Sequence, residues 1–297
     1  MVKSRFRQGL LAVAVALSLV FAGCGARDGK PVAKPTAPGL TVNVIDVGQG
    51  DAILIRTAQQ TVLVDTGDVP AKEKLVAFLK DQGISQLDKV FITHPHADHL
   101  GGMAQIMDSF PVKHIYDSGQ TTTTAMFRNY LAMVHKKNIP FTVVSPGMLI
   151  DIGAGAALKV LGPPKPLLAG TGSDLNNNSI VMRLIYGNFS MLLAGDAEEA
   201  AESAILKQFG SEIKSNVLKS GHHGSHTSSS LPFLQAVAPE VAIISVGKNN
   251  DYHHPHPSTL KKYAERKIKV YRTDMDGTVT VNVAPEGKSY TITKERQ

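Results

Sequence analysis

Nine of the eleven histidines in this 297-residue chain fall in three short stretches, at 94/96/99, 222/223/226 and 253/254/256. Histidines scattered over a solvated surface do not gather in this way. The chain must therefore fold so that several distant loops converge. The first stretch, His94-Pro95-His96-Ala97-Asp98-His99, places four potential ligands in six residues. Neutral imidazole is a common ligand for divalent ions, and carboxylates compensate the ions' charge. Presented on a loop at a strand end, such a set suits two adjacent ions. Cys24 is the sole cysteine. No disulfide can form within the chain, and a metal site must use nitrogen and oxygen ligands. The absence of Trp excludes a sugar-binding platform built on indole rings.

The N-terminal segment reads as an address. Lys3, Arg5 and Arg7 precede an apolar run of 13 residues, 10–22. That run is too short to span a bilayer and has the length of a secretory h-region. It ends Phe21-Ala22-Gly23-Cys24, which resembles a bacterial lipobox with Phe21 in place of the usual Leu. The expectation is a signal peptide at 1–23, lipidation of Cys24, and a flexible tether rich in Gly, Pro and Ala over 24–39. The alternative is an ordinary cleaved signal and a secreted protein. A lipid anchor would hold the folded part, residues 40–297, on the outer face of a membrane. Loss of residues 1–23 removes three positive charges and lowers the net charge from +6 to +3, so the basic balance is only a weak pointer to an acidic partner.

From residue 40 the chain alternates strands and helices. Strands are predicted at 41–47, 52–57 and 61–65, joined by tight turns as an antiparallel meander. A helix follows at 71–82, then a short strand at 89–92 that runs into His94, and helices at 100–109 and 123–137. The second half predicts strands at 179–186, 189–194, 216–219, 241–246, 269–272 and 278–283. Its helices are predicted at 198–209, 231–237 and 258–266. Two sheets flanked by helices, an α/β sandwich in four layers, fit this order. No linker-like stretch divides 40–297, so a single domain is expected.

The hexapeptide His94–His99 is the H-x-H-x-D-H signature of the metallo-β-lactamase superfamily, which the chain resembles over nearly all of 40–297. Asp65 in Val64-Asp65-Thr66-Gly67 resembles the family's early strand-end Asp, and Asp196 after the apolar run 191–194 resembles its bridging Asp. Four further segments look like the soluble hydrolase domain of ComEC-type DNA-uptake proteins. They are Asp46-Val47-Gly48-Gln49-Gly50-Asp51-Ala52, Asn176-Asn177-Asn178-Ser179, Leu218-Lys219-Ser220-Gly221-His222-His223-Gly224-Ser225 and His254-Pro255-His256-Pro257. With no channel helices in the sequence, the resemblance implies a free-standing relative that is not itself a pore. It implies the αββα fold, two divalent ions (Zn or Mn), and His94, His96, Asp98, His99 and Asp196 as ligands.

The family's middle His is missing, because residues 175–179 contain none. The expectation is that His222 completes the His94/His96 site and His254 the Asp98/His99 site, with Asp196 shared. His223 and His256 are the nearest rivals, and His253 departs from the Gly usual in this branch. Asp98 is expected to hold one metal and orient hydroxide, and His256 to handle protons. Ser225 and Asn178 are candidates for holding substrate, with Ser225 and its hydroxyl-bearing neighbours near the helix start at 231. Asp51 and Asp65 are expected to shape the surroundings of the site. Lys219, Lys248 and Arg272 are read as solvated charges unless the fold brings them to the substrate.

The body of the chain has no thiol and no G-x-S-x-G elbow, so water activated by metal is the expected nucleophile. The reading that follows is cleavage of phosphodiester bonds, in single-stranded DNA outside the cell, linked to DNA uptake. The alternatives are an esterase for smaller phosphoesters of cell wall or lipid, such as phosphorylcholine, and a non-catalytic surface-binding lipoprotein. β-Lactam hydrolysis is the weakest reading, since fold does not fix substrate. No protein partner is indicated.

Overall fold

A computed structural model describes residues 39–296. The signal segment, Cys24 and nearly all of the expected tether lie outside the described residues. Among the described residues, fifteen strands form two mixed sheets. The first eight-stranded sheet contains β1 (Leu40–Val44), β2 (Ile53–Thr57), β3 (Thr61–Val64), β4 (Lys89–Ile92), β5 (Ile115–Asp117) and β6 (Phe141–Val143), joined later by β14 (Val279–Val283) and β15 (Tyr290–Lys294). Its order is β15-β14-β1-β2-β3-β4-β5-β6. The second sheet contains β7 (Leu149–Asp151), β8 (Ala156–Gly162), β9 (Val181–Tyr186), β10 (Phe189–Leu193), β11 (Val217–Lys219), β12 (Val241–Ile244) and β13 (Lys269–Arg272). These run in the order β13-β12-β11-β10-β9-β8-β7.

The four layers follow from period-2 alternation. Ile53 and Ile55 face the space between the sheets, and Leu54 faces outward; Met191 and Leu193 point inward, and Leu192 outward. Three apolar clusters result. One fills the gap between the sheets. A second joins the outer face of the first sheet to α1 (Lys72–Asp81), α2 (Ala97–Leu100), α3 (Met103–Ser109) and α4 (Ala125–Lys136). The third joins the outer face of the second sheet to α6 (Glu199–Phe209), α7 (Leu231–Val237) and α8 (Pro257–Glu265). The short α5 (Asp174–Asn177) and α9 (Thr273–Asp276) lie in connections. This is the expected four-layer α/β sandwich. Met126, Tyr130 and Val134, at i, i+4 and i+8, pack one face of α4 against the second cluster.

Several details differ from the sequence reading. The helix expected over 100–109 is two elements, α2 and α3, separated by Gly101 and Gly102. A Cβ on Gly102 would collide with the carbonyl oxygen of Thr66, so the break lets this segment lie against the Asp65 loop. The strands β5 to β8 and β15 were not predicted. Three of them, β5, β6 and β7, are three residues long and too brief to carry a periodic signal.

The topology decides where the site lies. Strands β3 to β6 are parallel neighbours, and so are β10 to β13. Loops leaving the C-terminal ends of parallel strands emerge on one edge, where α/β sheets place their ligands. Strand β1 is antiparallel to β2, which is antiparallel to β3. The turn that follows β1 therefore opens on the same edge.

Candidate metal centre

Five segments leave that edge and meet. Asp51 comes from the turn after β1, Asp65 from the end of β3, and His94 to His99 from the loop after β4. Asp196 follows β10, and His222 and His223 follow β11. Gly50 allows the first of these contacts: at φ +127°, any Cβ would strike the carbonyl oxygen of Asp98. The Asp51 N–H instead donates to that oxygen at 3.1 Å. His222 and His223 both adopt left-handed backbone, with φ of 45° and 52°. Non-glycine residues pay roughly 1–2 kcal/mol each for that conformation, and such strain clusters at functional sites.

Asp196 Oδ2 stands at the middle. It lies 3.3 Å from His99 Nε2, 3.5 Å from His223 Nε2, 3.7 Å from His94 Nε2 and 3.9 Å from His222 Nε2. Asp98 Oδ2 is 3.2 Å from His223 Nε2 and 3.8 Å from His99 Nε2. His96 Nδ1 is 3.0 Å from His94 Nε2. Two half-sites thus share one carboxylate: Asp98, His99 and His223 on one side, His94, His96 and His222 on the other. The first, with Asp196, has all four donor atoms within 4.8 Å of one another.

Four imidazoles are aimed inward because their other nitrogen is held from behind. His94 Nδ1 bonds Thr93 Oγ1 at 3.1 Å, and that hydroxyl donates to Asp65 Oδ2 at 2.8 Å. His99 Nδ1 bonds Asp65 Oδ2 at 2.8 Å. His223 Nδ1 bonds the Ser245 carbonyl at 3.0 Å, and His222 Nδ1 faces Glu198 Oε1 at 3.1 Å. Anchoring of this kind fixes the tautomer and orientation of a ligand histidine. Buried His99 Nε2, His223 Nε2 and Asp196 Oδ1 have no hydrogen-bond partner. Buried polar atoms are rarely left so. Nitrogen and oxygen donors that converge, three of their buried atoms without a partner, fit divalent cations, and the cluster is compatible with a dinuclear site.

The charges agree. Burial disfavours protonated His99, but Asp196, Asp98 and Asp65 outweigh it and hold its pKa well above the usual histidine value. The same contest, with Asp196 as the main carboxylate, lifts His223 to about 10. Burial works against ionised Asp98 and Asp196, yet His99 and His223 hold both below the carboxylate range. Burial lowers His94 well below the ordinary value, helped by His99. The acids therefore gather positive charge at the centre, and a metal replaces protons there when it binds.

The expected residues distribute as follows. His94, His96, Asp98, His99, Asp196 and His222 are brought together. His223, expected only as a rival, occupies the position beside Asp98 and His99 that the sequence reading gave to His254. His254 lacks any anchor on Nδ1, and its ring centroid is 6.3 Å from that of His223. Burial, with His222 and His223 nearby, lowers its pKa to about 4. His256 does not line the cleft above the centre; it pairs with His226 at the exposed rim, Nδ1 to Nδ1, at 3.3 Å.

Ser225 and Asn178 are turned to structural work. Ser225 Oγ bonds Thr227 Oγ1 at 3.0 Å. Asn178 donates to the Leu168 and Asp174 carbonyls and accepts from the Leu168 N–H, pinning the loop before it. The helix start near Ser229 and Ser230 is already taken, since their N–H groups donate to the Glu202 carboxylate at 2.6 and 2.8 Å. Asp65 buttresses His99 as described. Arg272 is paired with Asp274, and Lys248 is exposed.

Three contributors escaped sequence reasoning. Thr93 and Glu198 hold ligands from behind, and neither has a spacing that marks it. Lys219, read as solvated, is fully buried; its Nζ lies 2.8 Å from Asp51 Oδ2, and Asp51 Oδ1 is 3.6 Å from His223 Nδ1. The place of Lys219 two residues after Val217, on the same face of a strand, was the available hint. The centre floors a cleft of about 280 Å³ whose walls include Gln49, Asn176, Tyr252 and His254. Among the described residues, no helix is long and apolar enough to cross a membrane.

Comparison with known proteins agrees with this geometry. The family model described as metallo-beta-lactamase superfamily matches residues 45–248. ComE operon protein 3 of Bacillus subtilis is 34% identical over 256 residues, covering 80% of this chain and 32% of that one. Competence protein ComA of Neisseria gonorrhoeae is 32% identical over 248 residues, covering 83% of this chain and 33% of that one. The chain thus spans about a third of the length of these relatives. In fold it resembles the crystal structure of the metallo-beta-lactamase fold protein YhfI from Bacillus subtilis, with a TM-score of 0.53 and 13% identity, covering 85% of this chain and 99% of that one. The matched span, the relatives and the strand-end centre together place this chain in the metallo-β-lactamase superfamily, within its ComEC-type competence family.

Proposed function

We propose that the chain is a metal-dependent hydrolase of phosphodiester bonds, with single-stranded DNA outside the cell as substrate and a role linked to DNA uptake. The observation that carries the hydrolase reading is the convergence of imidazoles on Asp196 Oδ2, with His99 Nε2, His223 Nε2 and Asp196 Oδ1 unpartnered beneath a cleft. The names of the competence relatives support the choice of DNA. His94, His96 and His222 would hold one ion and Asp98, His99 and His223 the other, with Asp196 between them. Divalent ions there, Zn or Mn, supply Lewis acidity and lower the pKa of water from 15.7 to about 7.

The protein's own groups do the rest. Asp98, partly open to the cleft, would hold one ion and orient the attacking hydroxide. Asp65, Glu198, Thr93 and the Ser245 carbonyl keep the imidazoles aimed, and the Asp51–Lys219 pair backs His223. A lipid on Cys24 would hold the enzyme at the outer membrane face. The modest cleft volume favours one rival, an esterase for a smaller phosphoester such as phosphorylcholine.

The test is hydrolysis of single-stranded DNA, bis-p-nitrophenyl phosphate and p-nitrophenyl phosphorylcholine by protein loaded with Mn or Zn. Each is measured before and after chelation. Metal-dependent DNA cleavage that falls steeply with salt is expected, since phosphate-backbone binding is salt-sensitive. Turnover of the choline ester alone would overturn the DNA reading, and no turnover of any substrate would leave a surface-binding protein.

A further inference from the structure

Tyr252 is 63% exposed, yet it lines the wall of the metal cleft. Its ring lies over that of His254, with centroids 5.7 Å apart and planes 24° from parallel. His254 in turn meets His222 edge-on at 5.4 Å. Three rings thus form a stair from the rim to the ligand shell. The loop that carries Tyr252 and His254 is pinned by Asn250. Asn250 Nδ2 donates to the Gly247 and His254 carbonyls at 2.9 and 2.7 Å, and Asn250 Oδ1 accepts from the His254 N–H at 2.9 Å. From across the cleft, Gln49 Oε1 accepts the Gly247 N–H at 3.1 Å.

Nothing in the core requires a tyrosine here. Most of its surface stays open to solvent, and a loop pinned this firmly presents it at little further entropic cost. His254 is not needed as a ligand, because His223 fills that place. The geometry points to a role for the pair in recognising substrate: we propose that Tyr252, backed by His254, is a platform on which one base of a single-stranded polynucleotide stacks while the adjoining phosphodiester lies over the acid–histidine centre. This rests on the DNA reading above. Stacking on an aromatic face accepts every base, which suits an enzyme facing DNA of arbitrary sequence. A small phosphoester without a ring would have no use for the platform.

The experiment measures binding of a labelled oligo-dT to chelated protein by fluorescence anisotropy, alongside cleavage by the Mn- or Zn-loaded protein. Tyr252→Ala should weaken oligo-dT binding about tenfold, and Tyr252→Phe should bind within about twofold of the parent. A fully abasic oligomer should bind the parent and Tyr252→Ala alike. Unchanged melting temperatures would show that the exposed substitution leaves the fold intact. If the parent cleaves DNA and Tyr252→Ala binds oligo-dT as tightly as the parent, the platform is wrong and the nuclease stands. The platform also fails if the substitution weakens the abasic oligomer equally. If the parent neither binds nor cleaves DNA but hydrolyses the choline ester, both readings fall together.

Discussion

The two histidine-bearing regions of the centre solve the same problem differently. The loop at 94–99 delivers four donors from one contiguous hexapeptide, which leads directly into the helical turn Ala97–Leu100. The region after β11 and β12 delivers only His222 and His223, through left-handed backbone, and leaves His254 and His256 nearer the rim. A contiguous motif reveals its ligands through spacing. A strained dipeptide does not, because its ring directions depend on backbone angles that no spacing rule encodes. The lesson is that anchoring, more than proximity in sequence, separates the histidines aimed at Asp196 from their neighbours. The four histidines aimed at Asp196 by Nε2 are those whose Nδ1 is held.

The largest test of this comparison lies beneath the second region. Lys219→Met strips the charge partner from buried Asp51 and should cost about 3–5 kcal/mol of stability, read by denaturant unfolding of the metal-free protein. The double variant Lys219→Met/Asp51→Leu should recover most of that loss; no recovery would show that the pair matters through packing rather than charge.

Next in size is the choice between neighbours. His223→Ala should lower metal affinity by more than the roughly 10–100-fold that loss of an outer partner costs, whereas His254→Ala should leave bound metal unchanged in mass-spectrometric titration. The reverse pattern would restore the assignment drawn from sequence and sink the anchoring rule.

Smallest is the anchor itself. Glu198→Ala removes the carboxylate beside His222 Nδ1, leaving the Thr227 hydroxyl at 3.3 Å as its partner, and should weaken metal binding toward the low end of about 10–100-fold while leaving all six donors of the 94–99 and 222–223 loops in place. Equal affinity in the variant would make Glu198 a mere helix-start residue.

Much of this was legible beforehand. The strands around β1–β4 and β9–β12 announced themselves as β-branched, apolar runs between turn residues. The edge strands did not, because Phe141–Val143 and Leu149–Asp151 are brief and partly exposed. The hexapeptide could be named from its clustered donors, and Asp65 and Asp196 through the resemblance to a family that places an Asp at each of those strand ends. Glu198 and Thr93 could not: a Glu two residues past an Asp reads as the first turn of a helix, and a Thr beside a His reads as strand. Lys219 was misjudged because a charge is presumed to seek water, and only the fold shows that Asp51 waits for it inside.

The adjacent His222 and His223 carry a consequence for metal choice. Consecutive side chains on ordinary backbone diverge, but here both rings reach the same oxygen of Asp196, at 3.9 and 3.5 Å. They act as a fork whose tines are cast in the main chain. Were two ions held there as proposed, the gap between them would be gauged by the polypeptide itself, and an ion of unsuitable radius would meet a rigid caliper instead of side chains free to swing around it.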